Sequence, residues 1–146
     1  MVRRESSLRS VVVETLREFH AIAVENPALP GTPDVNYVGG WLELKSLDRW
    51  PARAATPVRI EHWTPQQRVW HVLRARAGGR SFVLIEIVDP GDVLLLDGPA
   101  AVSFIGKANR AQLLELAVKS WPNRAGMRAD LLPLLRCPPP LVVPAT

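Results

Sequence analysis

A run of eight residues, SFVLIEIV at positions 81–88, is the strongest constraint on the fold of this chain. It is almost continuously apolar and has the length of a β-strand. Strands of this kind lie in sheets that are covered on both faces, because side chains on both sides of the strand are apolar. The segment DVLLLDG at 92–98 has the same character, and AVSFIG at 101–106 is a candidate for one more short strand. The sequence therefore predicts a sheet flanked by helices.

Three segments have the pattern of helices around this sheet. Residues 6–25 begin at a serine and have apolar side chains at helical spacing, namely Leu8, Val12, Leu16 and Phe19. A second helix begins after Thr64 with Pro65 at its first position and ends at Gly78-Gly79. Its predicted core face consists of Val69, Trp70, Leu73 and Ala77. A third helix, 110–121, is capped by Asn109.

The segment PGTPDVNYVGGWLELK at 30–45 has the pattern of a β-hairpin. Two β-rich runs flank Gly39-Gly40, and two residues that tolerate positive φ suit a tight turn. With the rest of the chain, this hairpin predicts an α/β fold with a mixed sheet between helices. We expect one domain over residues 1–136, followed by a proline-rich tail over 137–146.

Composition restricts the function without defining it. Eighteen Lys and Arg against fourteen Asp and Glu give a net charge of +4. This charge fits a polyanionic partner, or it reflects the arginine-rich composition of proteins from a GC-rich genome. The single cysteine, Cys137, forms no intrachain disulfide and no thiolate metal cluster. No segment approaches the roughly 20 apolar residues of a membrane-spanning helix, so a soluble cytoplasmic protein without a membrane partner is expected.

The hairpin brings charged side chains together on one face. With Gly39-Gly40 as the turn, Asn36 lies opposite Glu43 and Asp34 lies opposite Lys45. Because directly opposed residues share a face and faces alternate along a strand, four polar side chains project to one side: Asp34, Asn36, Glu43 and Lys45. The other side is apolar or aromatic and consists of Val35, Tyr37, Leu42 and Leu44.

This polar face has two interpretations. Two carboxylates on neighbouring strands repel each other unless a cation lies between them, and a hard divalent ion with oxygen ligands relieves that repulsion. Carboxylates that hold Mg²⁺, with a lysine beside them, are suited to phosphodiester hydrolysis. The alternative is an exposed hairpin face with an ordinary cross-strand pair between Asp34 and Lys45 and no ligand.

The same residues resemble the PD-(D/E)XK nuclease motif, with Pro33-Asp34 as PD and Glu43-Leu44-Lys45 as ExK. The order of elements is similar, more narrowly, to the VRR-NUC family and phage-type Holliday junction resolvases. These elements are a helix, the PD hairpin, ELK, and a helix that opens with TPQQ and ends in Gly-Gly before an apolar strand. The resemblance covers roughly residues 5–88 and implies a restriction-endonuclease-like core.

The resemblance implies a role for each matching residue. Asp34 and Glu43 would bind the metal through their carboxylates, Leu44 would bind it through its main-chain carbonyl, and Lys45 would be the catalytic lysine. The family also supplies a metal-binding glutamate from the first helix. Two candidates for it exist in this sequence, Glu5 and Glu14. At about 100° per residue these two lie on opposite sides of the helix, and Glu5 continues the stripe that faces the sheet. Glu5 is therefore preferred.

Residues of the second helix and of the loop at 46–59 are candidates for contacts with substrate. Gln67 matches the glutamine that such nucleases often carry, and a plain helix-surface residue is the alternative. It shares a stripe with His71 and Arg74, and His71 either lines a DNA-facing groove or lies on the surface with no role. Four residues are predicted to bind DNA: Arg49, Trp50, Arg53 and Arg74. For the tryptophan, packing on the core is an equal alternative.

The resemblance implies a Mg²⁺-dependent endonuclease for branched DNA, with Mn²⁺ able to substitute and 5′-phosphate ends as products. Symmetric cutting of a four-way junction needs two active sites, so a homodimer is expected. The alternatives are a nuclease for flaps, nicks, ends or a specific duplex sequence, and a non-catalytic module that binds DNA or protein. The sequence has no P-loop, dinucleotide-binding fingerprint, CxxC pair or nucleophile elbow.

Overall fold

A six-stranded mixed sheet with helices on both faces forms the fold. The computed structural model describes the backbone of residues 2–136 and the side chains of residues 7–136; the predicted tail at 137–146, with Cys137, lies outside them. The strands follow chain order across the sheet: β1 (Ile22–Ala23), β2 (Val35–Tyr37), β3 (Gly40–Arg49), β4 (Ser81–Asp89), β5 (Val93–Asp97) and β6 (Lys119–Trp121). Only the β3–β4 pair is parallel within this sheet. The predicted α/β class is confirmed.

Five α-helices are present in the described part of the chain. They are α1 (Val2–Thr15), α2 (Pro65–Arg76), α3 (Gly98–Phe104), α4 (Arg110–Leu116) and α5 (Arg124–Leu135), and a 3₁₀ turn (Arg17–Phe19) follows α1. The helix α2 connects the parallel strands β3 and β4, as a parallel pair requires a crossover. Among the described residues, no helix has both the length and the apolar character that crossing a bilayer requires.

The sheet separates two hydrophobic cores. On one face, α1 and α5 pack on the sheet through Leu8, Val12, Leu16, Met127 and Leu131. On the other face, α3, α4 and the loop after β3 supply Ala101, Ile105, Leu113, Trp50 and Trp63. The strand β4 contributes to both cores, with Leu84 in the first and Val83 and Ile85 in the second. Every residue from 81 to 87 is buried, so the prediction of a strand covered on both sides is confirmed.

Four predicted element boundaries differ from the structure. Residues 101–106 are not a strand, because Asp97 caps α3 by accepting a hydrogen bond from the Ala100 amide (2.8 Å). The first helix ends at Thr15 rather than at residue 25, and the chain turns at His20, which has a left-handed backbone (φ 54°). The third helix ends at Leu116, since the following residues pair with β5. The loop predicted from residue 46 begins only after Arg49.

The orientation of α2 also differs from the prediction. Thr64 and Pro65 begin the helix as predicted, but its apolar residues do not face the core. Val69 and Leu73 are 55% and 56% exposed, whereas His71 is fully buried. His71 is held against β4 by a hydrogen bond between its Nδ1 and Ser81 Oγ (2.7 Å). The helix therefore turns a polar stripe toward the sheet and an apolar stripe outward.

The contact between α2, α3 and β4 can be tested at Gly98. A Cβ at this position would overlap Ser81 Oγ and lie 2.7 Å from His71 Nδ1, so Gly98→Ala forces the buried pair apart. We expect a loss of about 1–3 kcal/mol in the free energy of unfolding, measured by urea denaturation. Gly126→Ala is the matched control, because its Cβ would meet nothing closer than 3.2 Å and α5 gains a better helix former. Equal stabilities for the two variants would contradict this packing.

Candidate active site

The hairpin that carries the PD and ExK residues has a different register from the predicted one. Its turn is Val38-Gly39 rather than Gly39-Gly40, since Tyr37 pairs with Gly40 and Val35 pairs with Leu42. Gly39 has the positive φ (107°) that the turn needs. Gly40 is required for a different reason: a Cβ there would lie 2.5 Å from the Tyr37 hydroxyl oxygen.

The predicted faces of the hairpin are nevertheless confirmed. A register difference of two residues keeps every side chain on its side of the sheet, because side chains alternate with a period of two. Val35, Tyr37, Leu42 and Leu44 are buried in the core beneath α1 and α5. Continuing the observed pairing by one step places Asp34 opposite Glu43, not opposite Lys45. The two carboxylates are thus direct cross-strand neighbours.

The side chain of Asp34 accepts a hydrogen bond from a main-chain amide of β3. Its Oδ2 accepts a hydrogen bond from the Leu44 amide (2.8 Å). The pairing of β2 and β3 ends at Val35 and Leu42; continued by two residues, the same register would bring Pro33 opposite Leu44. Proline has no N–H, so it would donate no hydrogen bond to the Leu44 carbonyl, which the sequence predicts as a metal ligand.

Glu43 is a buried carboxylate with one free oxygen. Its side chain is only 2% exposed, and its Oε1 lies 3.3 Å from Gln67 Nε2 and 3.4 Å from Lys45 Nζ. Its Oε2 has no hydrogen-bond partner among the described residues. Burial, and then the nearby charge of Asp34, raise the pKa of Glu43 well above its ordinary value, although Lys45 acts in the opposite direction. Such a group strongly favours a proton or a cation on its free oxygen.

Lys45 is fixed beside this carboxylate by the loop that precedes α2. Its side chain is 3% exposed, and its Nζ donates a hydrogen bond to the His62 main-chain carbonyl (2.8 Å). The ring centre of Trp63 lies 6.0 Å from the same nitrogen. The ammonium group has three protons, so these contacts orient it and still leave donor capacity. No sequence pattern indicates that His62 and Trp63 form this support.

Gln67 lies beside Glu43 and is held there by the cap of α2, whereas its catalytic role stays a prediction. Its amide nitrogen in the main chain donates to Thr64 Oγ1 (3.2 Å), while its side-chain Oε1 accepts from the Thr64 amide (3.0 Å). This leaves Nε2 directed at Glu43. The hydrogen bond from Gln67 Nε2 occupies Oε1 of Glu43 rather than Oε2. Because Gln67 lies in the first turn of α2, the positive N-terminal end of this helix lies beside the buried carboxylate.

The donor set fits a hard divalent cation. It consists of the Asp34 carboxylate, the free Oε2 of Glu43 and the Leu44 carbonyl, all of them oxygens, which Mg²⁺ and Mn²⁺ prefer. Among the described residues, only two side chains at this site are carboxylates, and no cluster of three or more His, Cys, Asp or Glu side chains that could hold a metal is present. Further ligands would have to be the Leu44 carbonyl and water molecules.

The glutamate predicted from the first helix is not added to this set. The side chain of Glu5 lies outside the described residues, so its role stays a prediction. The neighbouring residues of α1, Leu8 and Val12, pack on the sheet face opposite to that of Glu43. Glu14, the other candidate, is exposed and forms a long ion pair with Arg128 (3.7 Å).

The four predicted DNA contacts lie in different environments. Arg49 is the last residue of β3 and Arg53 lies in the loop that follows, and both are exposed. Trp50 is 7% exposed, and its indole N–H donates to Asp92 Oδ2 (2.7 Å), so the structure has the alternative in which it packs on the core. Arg74 lies over Trp70, with its Cζ 4.5 Å from the ring centre, and it forms no ion pair with any described residue. Its guanidinium is thus oriented and free to bind an anion.

His71 is a residue that sequence reasoning misplaced. The sequence predicts a histidine that either lines a DNA-facing groove or lies on the surface. In the structure His71 is fully buried, on the helical stripe that also contains Gln67. Burial, and then the charge of Lys45, lower the pKa of His71 to about 4. Its position four residues after Gln67 is the one sequence signal that could have indicated a sheet-facing side chain.

Comparison with known proteins gives no family for this chain. No protein-family model matches the sequence. A search of curated proteins likewise gives no match. Functional conclusions therefore rest on the geometry of the site.

The raised pKa of Glu43 predicts a pH dependence of stability in metal-free buffer. The folded state binds the proton more tightly than the unfolded state, so the contribution of Glu43 to stability is complete below pH 4.5, its ordinary pKa, and is lost as the pH rises through the folded-state pKa. Urea unfolding from pH 5 to 9 in EDTA should show this decline for the wild type and not for Glu43→Gln. Added Mg²⁺ should stabilise the wild type most at the alkaline end, because it replaces the proton. Identical pH profiles for the two proteins would contradict the assignment.

The lowered pKa of His71 predicts a dependence of opposite sign. The unfolded state takes up a proton near pH 6.5, whereas the folded state does so only near pH 4. Stability contributed by the neutral imidazole is complete above pH 6.5 and is lost as the pH falls to 4, by about 3 kcal/mol in total. His71→Asn should remove this acid-side loss in urea unfolding, and His20→Asn, at an exposed histidine, should keep it.

Proposed function

We propose that the protein is a metal-dependent DNA endonuclease of the PD-(D/E)XK type, with a restriction-endonuclease-like core. One observation carries this proposal: a buried glutamate with an unpartnered oxygen lies opposite an aspartate and next to a buried lysine. Such a cluster is unfavourable for folding alone, because each buried charge loses several kcal/mol of hydration. A site that binds a cation and an anionic substrate accounts for it.

The order of elements supports the proposal. A helix precedes an antiparallel hairpin, a crossover helix follows, and the next strand lies parallel to the second strand of the hairpin. The sequence resemblance to VRR-NUC and phage-type resolvases consists of the same elements in the same order. The residues of the motif, Asp34, Glu43 and Lys45, lie on one face, and Gln67 joins them from the crossover helix.

In the proposed reaction, Asp34, Glu43 and the Leu44 carbonyl would hold Mg²⁺ or Mn²⁺. Such an ion, when bound, would lower the pKa of a water molecule and stabilise negative charge on the phosphate. Lys45 would donate a hydrogen bond to the attacking water or to a phosphate oxygen, and its contact with the His62 carbonyl holds it in position. Gln67 occupies Glu43 Oε1, so that Oε2 would remain available as a ligand.

The proposed products and substrate are those that the resemblance to these nucleases implies. Water would attack phosphorus and the bond to the 3′-oxygen would break, with a proton passing to that oxygen, which leaves 5′-phosphate and 3′-hydroxyl ends. We propose branched DNA as the substrate, with Arg49, Arg53 and Arg74 as phosphate contacts. Trp50 is omitted from this set because its indole is packed and hydrogen-bonded. Resolving a four-way junction symmetrically requires two such sites, so the proposed active form is a homodimer.

The first test is cleavage of a labelled four-way junction, a flap and the matching linear duplex. We expect cutting with Mg²⁺ or Mn²⁺, none with EDTA, and a loss of about 10²-fold or more in Lys45→Ala. Glu14→Gln, at an exposed glutamate away from the site, is the control and should cut normally. Preference for the junction supports the resolvase assignment, and equal cutting of the duplex would favour a more general nuclease.

Two results would reject the nuclease assignment. The first is the absence of cleavage with every substrate and divalent metal, together with equal DNA binding in Mg²⁺ and in EDTA. That result would leave a non-catalytic binding module. The second is cleavage that Lys45→Ala leaves unchanged, which would indicate a contaminating enzyme or another site.

A further inference from the structure

The outward face of α2 has apolar residues where a surface helix normally has polar ones. Val69 and Leu73 are 55% and 56% exposed and lie one turn apart. They border a groove of about 450 Å³ between α2 and α3. The apolar part of its lining comes from both helices and the residue after α3: Val69, Val72, Leu73, Val102 and Ile105. A groove of this size can hold a few side chains.

The rest of the lining is positively charged. Arg68, Arg76 and Lys107 complete the groove, and no carboxylate belongs to its lining. Other arginines have acidic partners, such as Arg124 with Glu86 and Arg128 with Glu14. By contrast, none of the three groove cations forms an ion pair with residues 7–136, the part whose side chains the structure describes. The adjoining cavity is lined by Lys107 and by the acidic residue Glu115. The excess of positive charge is therefore confined to the groove.

We propose that this groove binds a short segment of a partner protein that combines apolar and acidic side chains. Apolar side chains of such a segment would cover Val69 and Leu73, while its carboxylates would pair with the surrounding cations. The groove lies on the side of α2 away from Gln67 and His71. An occupant therefore leaves the carboxylate site accessible, and the proposal does not depend on nuclease activity.

Charge distinguishes this partner from two others. Duplex DNA would contact the three cations but would leave the apolar floor of the groove uncovered. A second copy of the chain, packed about a two-fold axis, would place the same cations against each other, which is unfavourable. An acidic segment with apolar anchors is the occupant that uses both parts of the lining.

The experiment starts from peptide selection on the full-length protein. A phage-displayed library of random peptides of about 12 residues is panned on the wild type, and enriched peptides are synthesised with a fluorescent label. We expect them to combine Asp or Glu with Leu, Ile or Phe, and to bind more weakly as salt increases. In fluorescence anisotropy, Leu73→Ser and Arg76→Glu should each weaken binding about tenfold.

Matched controls separate the groove from general surface effects. Val38→Ser changes an exposed apolar residue (69%) at the hairpin turn, outside the groove and outside the neighbouring cavity that shares Val69 and Leu73, and Arg17→Glu changes an exposed arginine on the 3₁₀ turn; both should bind like the wild type. The proposal is overturned if no peptide is enriched, if enriched peptides lack acidic residues, or if Leu73→Ser and Arg76→Glu bind them normally. It is also overturned if Arg76→Glu weakens binding of duplex DNA while Leu73→Ser changes neither DNA nor peptide binding.

Discussion

The burial of the Glu43 carboxylate is the constraint on which the site and its surroundings depend. A charge taken out of water needs polar partners at close range. Lys45 supplies one from the same strand, and Gln67 supplies another from the start of α2. Because Gln67 has to face the sheet, the residues that share its stripe face the sheet as well. The requirement of one carboxylate thus sets the rotation of a whole helix about its axis.

That rotation explains several features that are unusual for a surface helix. His71 is buried and pairs with Ser81, and Gly98 leaves room for this pair. Val69 and Leu73 point outward, although hydrophobic burial would favour the opposite rotation. The helix keeps its place through its capping box, its hydrogen bonds to the sheet and the packing of Trp70 against Trp41. Hydrophobic burial alone would not select this rotation, and the polar contacts of the inner face of α2 offset the exposure of its apolar residues.

The sequence predicts much of this arrangement because strand periodicity is robust. The faces of the hairpin follow from alternation alone, and they hold even though the turn is Val38-Gly39. The turn itself was ambiguous, since either glycine can supply the positive φ and only the contact of Gly40 with Tyr37 distinguishes them. The rotation of α2 differs from the prediction because its apolar spacing does not mark the core face. The predicted strand at 101–106 is wrong because Asp97 caps a helix that begins at Gly98.

Other parts of the site have no signal in the sequence. The support of Lys45 by the His62 carbonyl involves a main-chain atom, which every residue has, so no residue type indicates it. The same holds for the Leu44 amide, another main-chain group, which donates to Asp34 Oδ2. A motif of three side chains therefore indicates where chemistry could occur, whereas the main chain around it determines how those side chains are held. In this protein the aspartate of the motif is fixed by a main-chain amide of β3, and the lysine is fixed by a main-chain carbonyl of the loop before α2, so the spacing of the motif follows from the path of the backbone.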